Sequence, residues 1–271
     1  MIVCGHSKVS INSDEWRIEI PEKIRGVVGV FPGQTLFGAY EPNTGRLLVS
    51  PLRLTPTVSY FRMFLDDVRG SLAQVTKLYS DRDVNILSGG AFGFGNIWVS
   101  EILADFNKDS TPDEIISEIQ TMGGFVTSRE ITELFPRSFT LNTDYTVEGS
   151  DGKVYISSKL AGDTHIIRSG YAVLKAWPRI RAIFIDFFTP DTKLVHITAK
   201  IKDIPGSLYR LTEMVGSQVN MNAIDELHHD EQSGVWNAYG EIKMGELEEL
   251  KEKAGKLSNI DKFEATPLGW S

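Results

Sequence analysis

Two stretches of this 271-residue chain combine residue types that could receive a small anion. Asp67-Val68-Arg69-Gly70-Ser71 and Asp203-Ile204-Pro205-Gly206-Ser207-Leu208 each place a carboxylate, a glycine and a hydroxyl at the start of an apolar run with helical spacing. Unpaired amides at a helix start form a prepared anion pocket, suited to a carboxylate. Gly permits close approach, and Ser is expected to supply a capping acceptor. Arg69 could itself contact a carboxylate.

Other clusters promise less. His228-His229-Asp230-Glu231 could bind a borderline divalent ion, but neighbours on one turn rarely converge, so a polar loop is expected. Cys4-Gly5-His6 is expected in a frayed terminus. Gly89-Gly90-Ala91-Phe92-Gly93-Phe94-Gly95 lacks the Lys-Ser/Thr of a phosphate loop and is expected to be a hairpin turn. No Ser/His/Asp or Cys/His arrangement can be drawn, and the carboxylates are scattered over helix surfaces. The chain is therefore expected to be no enzyme and to need neither cofactor nor metal.

These residues sit in a sequence written twice. Asp67, Gly70, Ser71, Leu72 and Thr76 recur at a constant offset of 136 as Asp203, Gly206, Ser207, Leu208 and Thr212. The same offset carries Arg17 to Lys153, Ile20 to Ile156, Lys23 to Lys159 and Gly26 to Gly162. A fused pair of copies normally mimics a homodimer about a pseudo-twofold axis.

In the second copy Val195, Ile197, Ala199 and Ile201 alternate with polar residues as in a strand with one buried face. The turn 202–207 leads into a helix on Leu208, Leu211, Met214 and Val215, then strands at 219–224 and 235–242, a helix on Leu247, Leu250, Ala254 and Leu257, and a strand at 263–266. The first copy repeats this βαββαβ order, which predicts a split βαβ, ferredoxin-like fold.

Asp203-Ile204-Pro205-Gly206-Ser207-Leu208, followed by Val219-Asn220-Met221, resembles the ACT domain, an amino-acid-sensing regulatory module, over about 58–130 and 194–267. The resemblance implies a ligand turn at an interface between modules, with Asn85, Asn220 and Asn222 able to reach the ligand's polar groups. The first copy departs from the pattern in having Arg69 where the second has Pro205.

Upstream of each ACT-like stretch lies a small β-rich unit with little core of its own. The string running from Arg17 through Ile20-Pro21 to Ile24-Arg25, then a Pro32-Gly33 turn and a hairpin about 42–45, resembles the AbrB/SpoVT-type swapped-hairpin domain of dimeric transcription factors over about 16–52. That resemblance implies DNA contact through Arg17, Lys23 and Arg25. In a degenerate second copy at about 152–190, Lys153 and Lys159 hold two of those places, while Ser157 and Ala161 replace Pro21 and Arg25.

Composition sets the remaining bounds. The net charge of −8 argues against a chain that coats nucleic acid or an acidic membrane. Segments 1–57 and 136–193 carry +3, from 14 basic and 11 acidic residues, and the ACT-like segments carry −11, from 14 and 25. A single cysteine suits a reducing cytoplasm, and no apolar run approaches a membrane span. The polar start at Met1–Trp16 lacks the core of a signal peptide.

The sequence thus predicts an α+β, pseudo-twofold chain. Its modules are AbrB-like at 1–57, ACT-like at 58–135, degenerate AbrB-like at 136–193 and ACT-like at 194–271. The expected function is ligand-responsive regulation of transcription, with an amino acid or similar small anion at the ACT–ACT interface and DNA on the AbrB-like module. The alternative is a regulatory subunit that docks a protein partner, and the pseudo-dimeric chain could assemble further as a homo-oligomer.

Overall fold

The computed structural model describes residues 2–12, 15–41, 46–106, 110–130, 140–150, 153–159, 170–228 and 232–269. The chain forms two compact units, one of Met1–Pro51 with Asn142–Ser271 and one of Leu52–Leu141. The first half runs β1 (Val3–Asn12), β2 (Glu15–Glu19), α1 (Glu22–Val28), β3 (Thr35–Glu41) and β4 (Arg46–Ser50), then β5 (Val58–Asp66), α2 (Ser71–Asp81), β6 (Asn85–Phe94), β7 (Ile97–Asp105), α3 (Pro112–Thr121) and β8 (Phe125–Glu130). The second half repeats it as β9 (Thr140–Ser150), β10 (Lys153–Lys159), β11 (Gly170–Trp177), β12 (Ala182–Phe188), β13 (Leu194–Lys202), α4 (Ser207–Gly216), β14 (Val219–His228), β15 (Ser233–Ile242), α5 (Glu246–Gly255) and β16 (Ile260–Leu268).

The upstream strands of both halves close one eight-stranded barrel in the order β1-β11-β12-β4-β3-β9-β10-β2. This corrects the expected α+β plan of small AbrB-like hairpin modules set beside ferredoxin-like ones: the described residues are mostly strand, and the upstream segments form a closed barrel. Each half gives two hairpins, and the hairpins of the two halves alternate around the barrel, so each is bordered on both sides by strands of the other half. The pairing pattern is unchanged when the halves are exchanged. Its axis passes between partners 136 apart, Leu48 with Phe184 and Glu19 with Tyr155.

The barrel went unread because the strands that close it are weakly patterned and pair at long range. β1 contains the supposedly frayed Cys4-Gly5-His6, yet Cys4 is 0% exposed and pairs with Lys175. The interior is filled by Trp16, Ile18, Leu36, Tyr145, Ile156 and Leu174 among others, as expected where eight strands enclose just enough room for side chains.

Each ACT-like module folds in the expected βαββαβ order, with sheets β6-β7-β5-β8 and β14-β15-β13-β16. Core residues alternate along β5 (Phe61, Met63, Leu65) and β13 (Val195, Ile197, Ala199, Ile201), packed against the helices. The glycine stretch is a second correction: residues 89–93 continue β6, and the turn lies at Gly95 with φ of 64°. A Cβ at Gly89 would lie 3.2 Å from the Glu101 carbonyl oxygen, so this glycine lets β7 approach closely.

In the first unit the other face of the second sheet packs on the barrel. Cys4, Val173, Leu194, Ala223, Tyr239 and Leu268 form the apolar seal. At its polar centre, Asp225 accepts hydrogen bonds from the Cys4 amide at 2.8 Å and from Asn237 Nδ2 at 2.9 Å. His196 stacks on Tyr239 at 4.4 Å, and His6 lies 5.8 Å from His196. Burial holds both imidazoles below their usual 6.5, and Lys23 nearby adds to the effect. It also pushes the Cys4 thiol up to about 12.

Both histidines therefore bind protons more readily in the unfolded chain. Their contribution to stability is complete above about pH 6.5 and is lost as pH falls below it. Urea midpoints measured between about pH 7.5 and about pH 5.5 should fall with acidity, and a His6→Asn, His196→Asn double variant should show a shallower fall. An unchanged slope in the variant would remove these residues as its cause.

Candidate functional site

The two sequence-predicted turns adopt the same backbone. Gly70 (φ 98°, ψ −5°) and Gly206 (φ 86°, ψ −5°) occupy the N-cap positions of α2 and α4 in the left-handed region, which accounts for glycine in both copies. Ser71 and Ser207 are the first helical residues and provide no side-chain cap. The Ser71 hydroxyl instead donates to the carbonyls of Asp66 (2.8 Å) and Val68 (3.0 Å). The expected capping role is thus corrected, because the glycine already sets the entry. The repeated Thr76 and Thr212 hydroxyls donate to the Leu72 and Leu208 carbonyls one turn back, at 3.0 and 2.9 Å.

At the first turn the structure opens a cavity of about 560 Å³ lined by Asp67, Val68, Gly70, Ser71, Leu72, Ala73, Thr76 and Trp98. This falls in the size range of small-molecule sites. Four predicted residues, Asp67, Val68, Gly70 and Ser71, meet there, whereas Arg69 is exposed and lies outside the lining. Asn85 lines a separate hollow of about 500 Å³ with Thr76, Tyr79, Ser80, Asp83, Val84 and Ile86.

In the second copy Asp203 is anchored by its N–H to the Gln232 carbonyl at 2.8 Å, and the Ser207 N–H donates to the Ile204 carbonyl at 3.1 Å. Ser207 is buried, with Asn259 Nδ2 on its carbonyl at 3.1 Å, while Ile204, Pro205 and Leu208 are exposed. Asn220 is exposed on β14, and Asn222 Nδ2 donates to Glu241 Oε1 at 3.5 Å.

Sequence reasoning missed Leu72, Ala73, Thr76 and Trp98 of the lining, and Gly93 beside it. A Cβ on Gly93 would sit 2.7 Å from Asp67 Oδ2 and 3.6 Å from the Trp98 ring, so glycine makes the room that carboxylate occupies. The signal was available through strand register. Leu65 pairs with Trp98 and Trp98 with Gly93, and in the other copy Ile201 pairs with Gly234 and Gly234 with His228. The wall Trp98 therefore corresponds to Gly234, and Gly93 to His228.

Four of the five cations expected to meet DNA, Arg17, Lys23, Arg25 and Lys153, are engaged locally. Arg17 lies over the Tyr155 ring at 4.1 Å. Lys153 pairs with Glu19 at 2.8 Å, Arg25 with Glu22 at 3.7 Å and Lys23 with Asp225 at 3.8 Å. The Lys159 side chain lies outside the described residues, as do the His228 side chain and all of His229, Asp230 and Glu231. Among the described residues, no group of His, Cys, Asp and Glu could hold a metal ion, and no helix is long and apolar enough to cross a membrane.

No protein-family model matches the chain, and no curated protein matches it either. Among solved structures it is similar to an unknown protein from Galdieria sulphuraria, at 10% identity and a TM-score of 0.32, covering 78% of this chain and 98% of that one. It is also similar to a protein described as a glycine cleavage system transcriptional repressor (10% identity, TM-score 0.27, 78% and 96% covered). A third is the acetolactate synthase small subunit of Thermotoga maritima (11% identity, TM-score 0.19, 78% and 93% covered). At TM-scores this low the likeness decides nothing about this chain's function.

The left-handed turn gives a direct test. Gly70→Ala meets no atom within 4 Å, so its cost is conformational alone. Chemical denaturation should show a loss of about 1–2 kcal/mol, and an unchanged midpoint would mean that the turn relaxes without the glycine.

Proposed function

We propose that this chain is a non-catalytic, ligand-responsive regulatory protein whose effector, an amino acid or similar small anion, binds at the 67–73 turn of the first ACT-like module. The cavity of about 560 Å³ at that turn carries the proposal. It combines the start of α2, whose first amides have no partner within the helix, with an apolar wall. The resemblance of the repeated turn to the ACT domain, a sensing module, agrees with it.

Two observations support a non-catalytic role. Among the described residues, the Cys4, His6, His196 and Tyr239 side chains with shifted titration lie in the sealed junction between barrel and second sheet. Asp67 is the titratable side chain in the cavity lining, with no acid–base partner beside it there.

The neutralised cations favour a protein partner over DNA as the recipient of the signal. Phosphate affinity comes from several Lys and Arg acting together, and here Glu19, Glu22 and Asp225 stand against Lys153, Arg25 and Lys23. A ligand can shift such a protein only by its preference for one arrangement over another.

Titration calorimetry of the intact chain across the amino acids and common anionic metabolites should find a saturable ligand, and a DNA-binding isotherm at low salt should find no salt-sensitive binding. No ligand anywhere in the panel would refute the sensing role. Tight, salt-sensitive DNA binding abolished by replacing Arg17, Lys23 and Arg25 with Ala would refute the protein-partner reading.

A further inference from the structure

The two copies differ where the cavity lies, and the difference specifies a ligand class. Resting on the reading above, we infer that the first ACT-like module selects a zwitterionic α-amino acid with an apolar side chain, and that the turn at 203–208 does not share this selectivity.

Three groups around the cavity suit three parts of such a ligand. Leu72 and Ala73 occupy the second and third positions of α2, where helix geometry leaves the amide N–H groups without an intrahelical acceptor, so they suit a carboxylate. Asp67 lines the same cavity. Its carboxylate makes no hydrogen bond or ion pair among the described residues and sits against the bare Gly93 backbone, free to receive an ammonium. Val68, Leu72 and Trp98 supply the apolar surface, and Val68 and Leu72 are 61% and 45% exposed, so burying them against a ligand side chain is favourable.

An acidic ligand side chain would gain nothing here. Arg69 lies outside the lining, and the charge within it is the negative Asp67. An α-keto acid keeps the carboxylate but offers Asp67 no cation, so it forgoes that charge-assisted contact.

The other copy serves as an internal control. Strand register puts Gly234 at the place of Trp98, which removes the aromatic wall. It puts His228, a residue other than glycine, at the place of Gly93.

The test is titration calorimetry of the full chain with L-leucine, L-methionine and L-phenylalanine, each beside its α-keto acid, and with L-glutamate. At least one apolar amino acid should bind about tenfold or more tightly than both its keto acid and glutamate. Asp67→Asn should weaken that binding about tenfold without moving the urea midpoint, and Asp203→Asn should leave it unchanged. Tighter binding of glutamate or of the keto acids, or loss of binding on Asp203→Asn instead, would overturn the class inference while leaving a sensing role intact. Absence of binding by every ligand, here and in the broad panel, would end both.

Discussion

The structure depends on one constraint of strand pairing. In the barrel, hairpin β1–β2 lies between β11 and β10, and hairpin β3–β4 between β12 and β9, so neither half can satisfy its edges by itself. A two-stranded hairpin alone is marginal in water, and an open edge invites stray pairing. Closing the eight strands removes every edge at once and buries Trp16, Ile18 and Ile156 between them. The duplicated sequence is therefore a requirement of the barrel. The register through Leu48 and Phe184 records it, since these residues occupy the same place in the two copies and pair with one another.

That closed barrel gives the second ACT-like sheet a surface on which to rest. Asp225 is satisfied by the Cys4 amide of β1 and by Asn237 of β15, which joins barrel and sheet through a shared carboxylate. The stack of His6, His196 and Tyr239 completes the seam. Residues that look chemically suggestive in isolation, a cysteine and two histidines, are here structural, and burial holds the thiol protonated and the imidazoles neutral.

The sequence made the βαββαβ order of both halves legible because its pattern is local. Strand alternation in Val195–Ile201, helical spacing in Leu208–Val215 and the repeated Asp–Gly–Ser turn lie within short windows, and both copies say the same thing. The barrel was illegible for the converse reason. β1 carries few strong hydrophobic signals, and its partner β11 lies well over half a chain away. Four predicted turn residues do meet at a cavity, but Trp98 lies on another strand and enters only through register. The copy that departs from the ACT pattern, with Arg69 in place of proline, is the one that opens this cavity, because the deciding residues, Gly93 and Trp98, lie outside the turn.

The interleaved barrel also dictates an order of events in synthesis. The unit of Leu52–Leu141 is contiguous in the chain and can complete its contacts as soon as it has emerged. The four strands made before it cannot, since β4 has to await β12 and β1 has to await β11. Contacts of such sequence separation make folding slow, and the waiting edges are exposed to other chains. Two nascent molecules that trade second halves would form the same hydrogen-bonded ring in each barrel. The duplication that allows one chain to close on itself therefore leaves domain-swapped pairing as its closest competitor.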